Sequence, residues 1–140
     1  MNIELAEEII GIILMNPDRL AMDTFICRQG REFLDTKTCG ELRQQWECGT
    51  TACIAGHAVI LTAPHDARLE QTLVRFADGT GRAADAYAAE ALGLSPNTAF
   101  DLFYEVEDDE AVMALKFLIG NPDATGGDLR SFLDDGRELT

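Results

Sequence analysis

Apolar residues recur at every third or fourth position along much of the chain, which is the pattern of amphipathic helices. In residues 2–15 they form one face, with glutamates in the first turns, where the helix dipole favours carboxylates. Asn16-Pro17 ends this helix because proline cannot continue the hydrogen-bond ladder, and one short helical turn is expected between Pro17 and Phe25. The same spacing predicts further helices over residues 81–92, 96–104, 110–119 and 128–136.

A run of small and aliphatic residues predicts a central helix over residues 51–63. The run has almost no polar break, so we expect the helix to be surrounded by other elements. Thr50 or Thr51 is the expected N-cap, because a hydroxyl oxygen there can accept a hydrogen bond from an unpaired backbone N–H. Ala52 and Gly56 are four residues apart and should share a face that another backbone can approach closely.

Two regions do not follow the helical period. Residues 26–47 fit neither the helical nor the strand period, so most of this segment is predicted to be loop, with the Trp46 ring packed against the central helix. The segment before Asp78-Gly79 fits either a strand or a helix that ends there. Because Asp-Gly is a strong turn signal, a small β-hairpin is predicted near residues 70–82.

Capping residues delimit two of the later helices. Thr80 is positioned to cap the helix that follows it, and Gly93 can adopt the left-handed conformation that ends a helix. Ser95 then supplies a capping hydroxyl and Pro96 a first helical residue. These signals predict two consecutive helices joined by a tight turn.

The same turn has the sequence form of a DNA-binding helix-turn-helix unit, from Ala89 to Ser95. However, the segment from Ser95 to Tyr104 contains no Lys or Arg, and it carries Asp101. Phosphate contacts and base readout both depend mostly on basic donors. We therefore predict an αα-hairpin that does not bind DNA.

Length and composition indicate a single domain over residues 1–140, mainly α and built as a compact bundle of five to six helices. The chain has no run of apolar residues long enough to span a membrane. The apolar residues 9–15 follow glutamates rather than Lys or Arg, and no small-residue cleavage site comes after them. A cytoplasmic protein is the resulting expectation.

The formal net charge is −14, from 25 acidic and 11 basic residues. Such a surface repels nucleic acid and anionic lipid, so neither is expected to bind directly. Residues 105–140 hold ten acidic and three basic side chains, which gives −7 in this segment alone. The sequence predicts that this region docks on a protein with a basic surface. Solubility alone is the simpler explanation of the charge. The candidate partner-binding residues are Glu107, Asp108, Asp109 and Glu110.

Cysteine and histidine form the second candidate site, and its members are Cys39, Cys48, Cys53 and His57. Thiolates and an imidazole suit tetrahedral zinc, although the spacing lacks the usual Cys-x2-Cys or Cys-x4-Cys pair. A cysteine near a helix N-terminus, with His57 as base, would suit a thiol enzyme, but no third catalytic member is recognisable. Buried structural residues are the simpler interpretation. We therefore predict no metal, no cofactor and no catalytic residue.

These motifs together resemble a group of small uncharacterised bacterial and phage proteins. The resemblance lies in the core Cys48-Gly-Thr-Thr-Ala-Cys-Ile-Ala-Gly, the turn Leu92-Gly-Leu-Ser and the pair Leu102-Phe103. It covers roughly residues 46–104 and implies a shared compact helical fold, with no activity attached. Many members have Trp where this chain has His57, which implies that His57 is not an obligatory ligand or base.

Charge and motifs together favour a small acidic helical protein that acts as a macromolecular binding or regulatory module. An inhibitor of a basic partner that handles nucleic acid is one form such a module would take. The alternative is a metal-binding protein or thiol-dependent enzyme centred on Cys48, Cys53 and His57. The oligomeric state stays open.

Overall fold

A computed structural model describes residues 1–15, 20, 22, 26–28, 38–44, 50–70 and 73–138. These segments contain seven α-helices, which are α1 Ile3–Met15, α2 Cys39–Gln44, α3 Ile54–Thr62, α4 Ala84–Leu92, α5 Pro96–Tyr104, α6 Ala111–Gly120 and α7 Gly126–Glu138. They also contain the short strands β1 Ile26–Arg28, β2 Thr50–Ala52, β3 Arg68–Glu70, β4 Leu73–Arg75 and β5 Gly81–Ala83, and a 3-10 helix at Asp108–Glu110. The prediction of a mainly α protein with a small hairpin is confirmed.

The strands form two small antiparallel sheets, β1–β2 and β3–β4–β5. The β4–β5 hairpin turns at Asp78-Gly79, as the sequence predicts. Gly79 has φ 90°, a backbone conformation that glycine adopts most readily. The Asp78 carboxylate accepts hydrogen bonds from the Thr80 N–H at 2.9 Å and the Thr80 hydroxyl at 2.6 Å.

The central helix α3 lies in the core and packs against α4 and α2. Every residue from Cys53 to Ile60 is buried. The helix begins at Ile54, not at residue 51, because Thr50–Ala52 pairs with β1 as a strand. Ala52 therefore does not share a helical face with Gly56.

The N-cap of α3 is Cys53, so the prediction of a threonine cap is wrong. The Cys53 Sγ accepts a hydrogen bond from the Gly56 N–H at 3.4 Å. The extended backbone of the β2 strand delays the helix by one turn and brings a thiol, not a hydroxyl, to the capping position.

The α4–α5 hairpin follows the predicted capping signals. Gly93 has φ 69°, and the Leu94 N–H donates to the Ala89 carbonyl at 2.9 Å, which closes α4 in the left-handed manner. The Ser95 hydroxyl accepts from the Thr98 N–H at 3.3 Å, with Pro96 as the first residue of α5.

The start of α4 differs from the prediction. The helix begins at Ala84 because residues 81–83 pair with β4, and Ala83 makes no side-chain capping bond. The predicted cap, Thr80, belongs instead to the preceding turn.

The prediction of loop over residues 26–47 is wrong for β1 and α2. Thr38 and Glu41 cap the N-terminus of α2. The Thr38 hydroxyl accepts the Glu41 N–H, and the Glu41 carboxylate accepts the Thr38 N–H, both at 3.1 Å. At the other end, Arg43 donates to the carbonyls of Ile60 and Ala63. This guanidinium satisfies two carbonyls at the C-terminal end of α3 and places a positive charge where the helix dipole favours one. Trp46 and most of the expected turn at residues 17–25 lie outside the described residues.

Within the described part of the chain, no helix combines the length and apolarity needed to cross a membrane.

Helix α7 packs closely on α5 through a glycine. Asp101 of α5 is buried and forms an ion pair with Arg130 of α7, with Nε and Oδ1 3.4 Å apart. A Cβ atom added to Gly126 would overlap the Asp101 carboxylate and lie 3.0 Å from the Asn97 carbonyl oxygen. A side chain at Gly126 therefore requires the Asp101 carboxylate or the backbone around it to move.

We expect Gly126→Ala to lower the free energy of unfolding by about 1–3 kcal/mol, because it overpacks this contact. Gly127→Ala is the matched control, since its Cβ would meet only the Thr125 hydroxyl, at an ordinary 3.6 Å. That variant should be neutral or more stable by up to about 1 kcal/mol. Urea unfolding measures both. Equal effects of the two substitutions would contradict the close contact.

Candidate functional site

The cysteines and histidine do not form a common site in the part of the chain that the structure describes. Cys39 is the first residue of α2, Cys53 caps α3 and His57 lies inside α3, and all three are buried. Within the described residues, their ligand atoms do not converge as a metal site requires. Cys48 lies outside those residues.

The two buried thiols are not activated. Burial raises the pKa of the Cys39 thiol from 9.0 to about 11, and the Arg43 charge opposes this only in part. Burial also raises the pKa of Cys53, against a smaller opposite effect of the Gly56 N–H. A nucleophilic cysteine needs an accessible thiolate with a lowered pKa, so Cys39 and Cys53 fit structural roles.

The raised pKa of Cys39 predicts a loss of stability in alkali. Between pH 9.0 and about 11 the unfolded chain releases the thiol proton while the folded protein keeps it. The stability that the neutral thiol contributes is therefore present below pH 9.0 and lost as the pH rises towards 11. Cys39→Ala should unfold with a shallower pH dependence in this window, measured by urea unfolding at several pH values. Parallel curves for the two proteins would contradict the assignment.

The acidic segment 107–110 is only partly a surface feature. Glu110 is buried, and its carboxylate accepts the Glu107 N–H at 3.1 Å, while Glu107 caps the 3-10 helix in return. Asp108 accepts the Met22 N–H at 2.7 Å. Glu107, Asp108 and Asp109 are exposed, so three of the four candidate partner-binding residues present carboxylates to solvent.

Glu107, Asp109 and Glu110 bring one carboxylate oxygen each within 4.8 Å of one another. Oxygen donors of this kind suit a hard cation such as Ca²⁺. The reciprocal capping of Glu107 and Glu110 already accounts for the proximity of these two carboxylates.

A cleft of about 430 Å³ lies between α4 and α5. Its walls are mainly apolar and include Ala89, Ala99 and Phe103. Its rim is charged and includes Asp85 and the ion pair of Arg82 with Glu90. The volume falls in the usual range of binding clefts, roughly 300–1,000 Å³.

Two aromatic side chains of α5 stand at this cleft and remain exposed, Phe100 at 54% and Tyr104 at 59%. Their ring centroids are 5.0 Å apart, as their spacing of four residues allows. The buried residues of α5, such as Leu102 and Phe103, face the core, so the exposed pair is not part of the core packing. Exposed aromatic pairs of this kind are typical of binding surfaces.

Tyr104 connects the cleft with the acidic segment. Its hydroxyl donates to the Asp85 carboxylate at 3.2 Å, and its side chain also lines a second cleft, next to Glu107, Asp108 and Asp109. We call the set Asp85, Phe100, Tyr104, Glu107, Asp108 and Asp109 the aromatic–acidic surface. The sequence indicated Glu107, Asp108 and Asp109, whereas Asp85 and the exposed aromatic pair were missed. The pair could have been recognised from the sequence, because Phe100 and Tyr104 are four residues apart and lie outside the apolar stripe of α5.

Partial burial raises the pKa of Tyr104, and the negative charge of Asp85 adds to this. Asp85→Asn should therefore lower the pKa of Tyr104 towards its ordinary value. NMR titration of the tyrosine rings measures this, with Tyr87 as the internal reference. An unchanged Tyr104 titration in the variant would show that the two side chains are not in contact.

Comparisons of this chain with protein-family models, with curated proteins and with solved structures found no match.

Proposed function

We propose that this protein is a binding module whose aromatic–acidic surface docks on a basic surface of another protein. The observation that carries the proposal is the exposed pair Phe100 and Tyr104, whose Tyr104 contacts Asp85 and lines a cleft with Glu107, Asp108 and Asp109. The rings supply apolar contact area and the carboxylates supply charge.

The combination suits a protein interface better than either part alone. Tyrosine is frequent among the residues that dominate binding energy, because its ring is large and its hydroxyl can pair with a polar group. Exposed charges contribute less to affinity but accelerate encounter with an oppositely charged partner. The net charge of −14 extends that attraction beyond the site itself.

Direct DNA binding has little support in the α4–α5 hairpin despite its helix-turn-helix form. Helix α5 carries no Lys or Arg, and its Asp101 is buried in an ion pair with Arg130. An acidic module would instead compete with nucleic acid for a basic protein surface. Inhibition of a protein that handles nucleic acid is therefore the regulatory role we propose.

A photocrosslinking amino acid at position 100 should capture the partner in cells, whereas the same group at Met113, an exposed apolar position on α6, should not. The association rate of the purified pair should fall steeply between low and physiological salt.

Asp85→Asn with Asp109→Asn should slow association and flatten its salt dependence, because two surface charges are lost. The matched control is Glu7→Gln with Glu8→Gln, which removes two exposed charges from α1. Equal effects of the two double variants would show that only overall charge matters. That result would contradict the proposed surface.

A further inference from the structure

We infer that the occupant of the α4–α5 cleft is a protein segment with an apolar anchor side chain next to Lys or Arg. This inference rests on the proposed function and names the chemistry of the partner. It follows from the shape of the cleft, from the groups on its rim and from the charge of the whole chain.

The interior of the cleft selects for an apolar side chain. Ala89, Ala99 and Phe103 line it without offering charge, and Phe100 extends the apolar wall towards solvent. Small alanine side chains on both helices leave the space open. Burial of an anchor there would remove apolar area from water on both sides, including part of the exposed ring of Phe100.

The rim selects for a cation beside that anchor. The Asp85 carboxylate accepts bonds from the Tyr104 hydroxyl at 3.2 Å and the Ala86 N–H at 2.8 Å, and a carboxylate has about four acceptor positions. A guanidinium or ammonium group could therefore donate to the remaining acceptor positions of Asp85 without breaking these two hydrogen bonds. The neighbouring Tyr104 ring offers a face for cation–π contact.

Arg82, which lines the cleft, already makes a contact of this kind with a ring just outside the cleft. The Arg82 guanidinium lies over the Tyr87 ring, with its carbon 5.9 Å from the ring centroid, and it also pairs with Glu90. An anionic occupant would have to compete with Glu90 for Arg82. A cationic occupant leaves this ion pair intact.

Charge also argues against a second copy of the chain as the occupant. Each copy carries −14, so two copies repel each other, and the rim carboxylates would meet further carboxylates. A segment with Lys or Arg gains from the same field. Beyond the rim, Glu107, Asp108 and Asp109 extend the acidic surface past Tyr104, where further basic residues of the segment would lie.

Three synthetic amphipathic peptides test the inference on the whole protein. The first carries leucine and tryptophan on one face and lysine on the other. The second replaces the apolar face by serine, and the third replaces lysine by glutamate. Fluorescence anisotropy measures affinity, and amide chemical shifts locate the binding site.

We expect the first peptide to bind at α4 and α5, and each of the other two to bind at least about tenfold more weakly. Phe100→Ala should weaken the first peptide about tenfold or more, as loss of an aromatic anchor does. Met113→Ala, the matched exposed apolar position on α6, should leave binding unchanged. Urea unfolding of both variants confirms that the fold is retained.

The outcomes separate this inference from the proposed function. If the serine peptide binds as tightly as the first, the interaction is purely electrostatic; the cleft inference is then wrong while acidic docking stands. If the chemical shifts change only around residues 107–109, the cleft inference is wrong and acidic docking stands. If the glutamate peptide binds best, or if the shifts change only outside the aromatic–acidic surface, both are wrong. Self-association at high salt with no peptide binding would instead identify a second copy as the occupant and would also overturn the inference.

Discussion

The fold depends on the burial of a helix that has no polar face. All residues of α3 from Ile54 to Ile60 are buried, so the helix must be covered on every side. Both ends of such a helix must also satisfy their backbone groups away from bulk water. The Cys53 thiol accepts one N–H at the N-terminus, and the Arg43 guanidinium donates to two carbonyls at the C-terminus. Helix α2 meets part of this requirement, because it carries Arg43 to the end of α3.

The sequence predicted helices well where the signals were local. The turn at Gly93 and the start of α5 at Ser95-Pro96 were correct because each depends on the backbone preferences of one or two residues. Helix starts adjacent to strands were wrong. Residues 50–52 and 81–83 extend because they pair with β1 and β4, which are partners that no local pattern reveals. Helix α2 was missed because its capping pair, Thr38 and Glu41, spans a segment too short for a period to show.

The candidate site was also predicted from the sequence only in part. Charge density identified the exposed carboxylates at 107–109, since charge is a property of composition. It could not show that Glu110 is buried as a capping acceptor, or that Tyr104 stands beside Asp85 from the preceding helix. For the thiols, the sequence offered His57 as a base for a cysteine near a helix N-terminus, whereas the burial of Cys39 and Cys53 in the fold raises the pKa of their thiols.

The contact between Asp101 and Gly126 has a consequence for the mapping of binding residues by mutation. Helix α5 presents Phe100 and Tyr104 on its outer side and Asp101 on its inner side, against the first residue of α7. A larger residue at position 126 would overlap the Asp101 carboxylate on the helix that carries both rings, although residue 126 does not line the cleft. If that overlap shifts α5, a mutational scan would record a loss of binding at position 126, as it does for a residue that contacts the partner directly. Only a structural readout of ring orientation would distinguish the support of an interface from the interface itself.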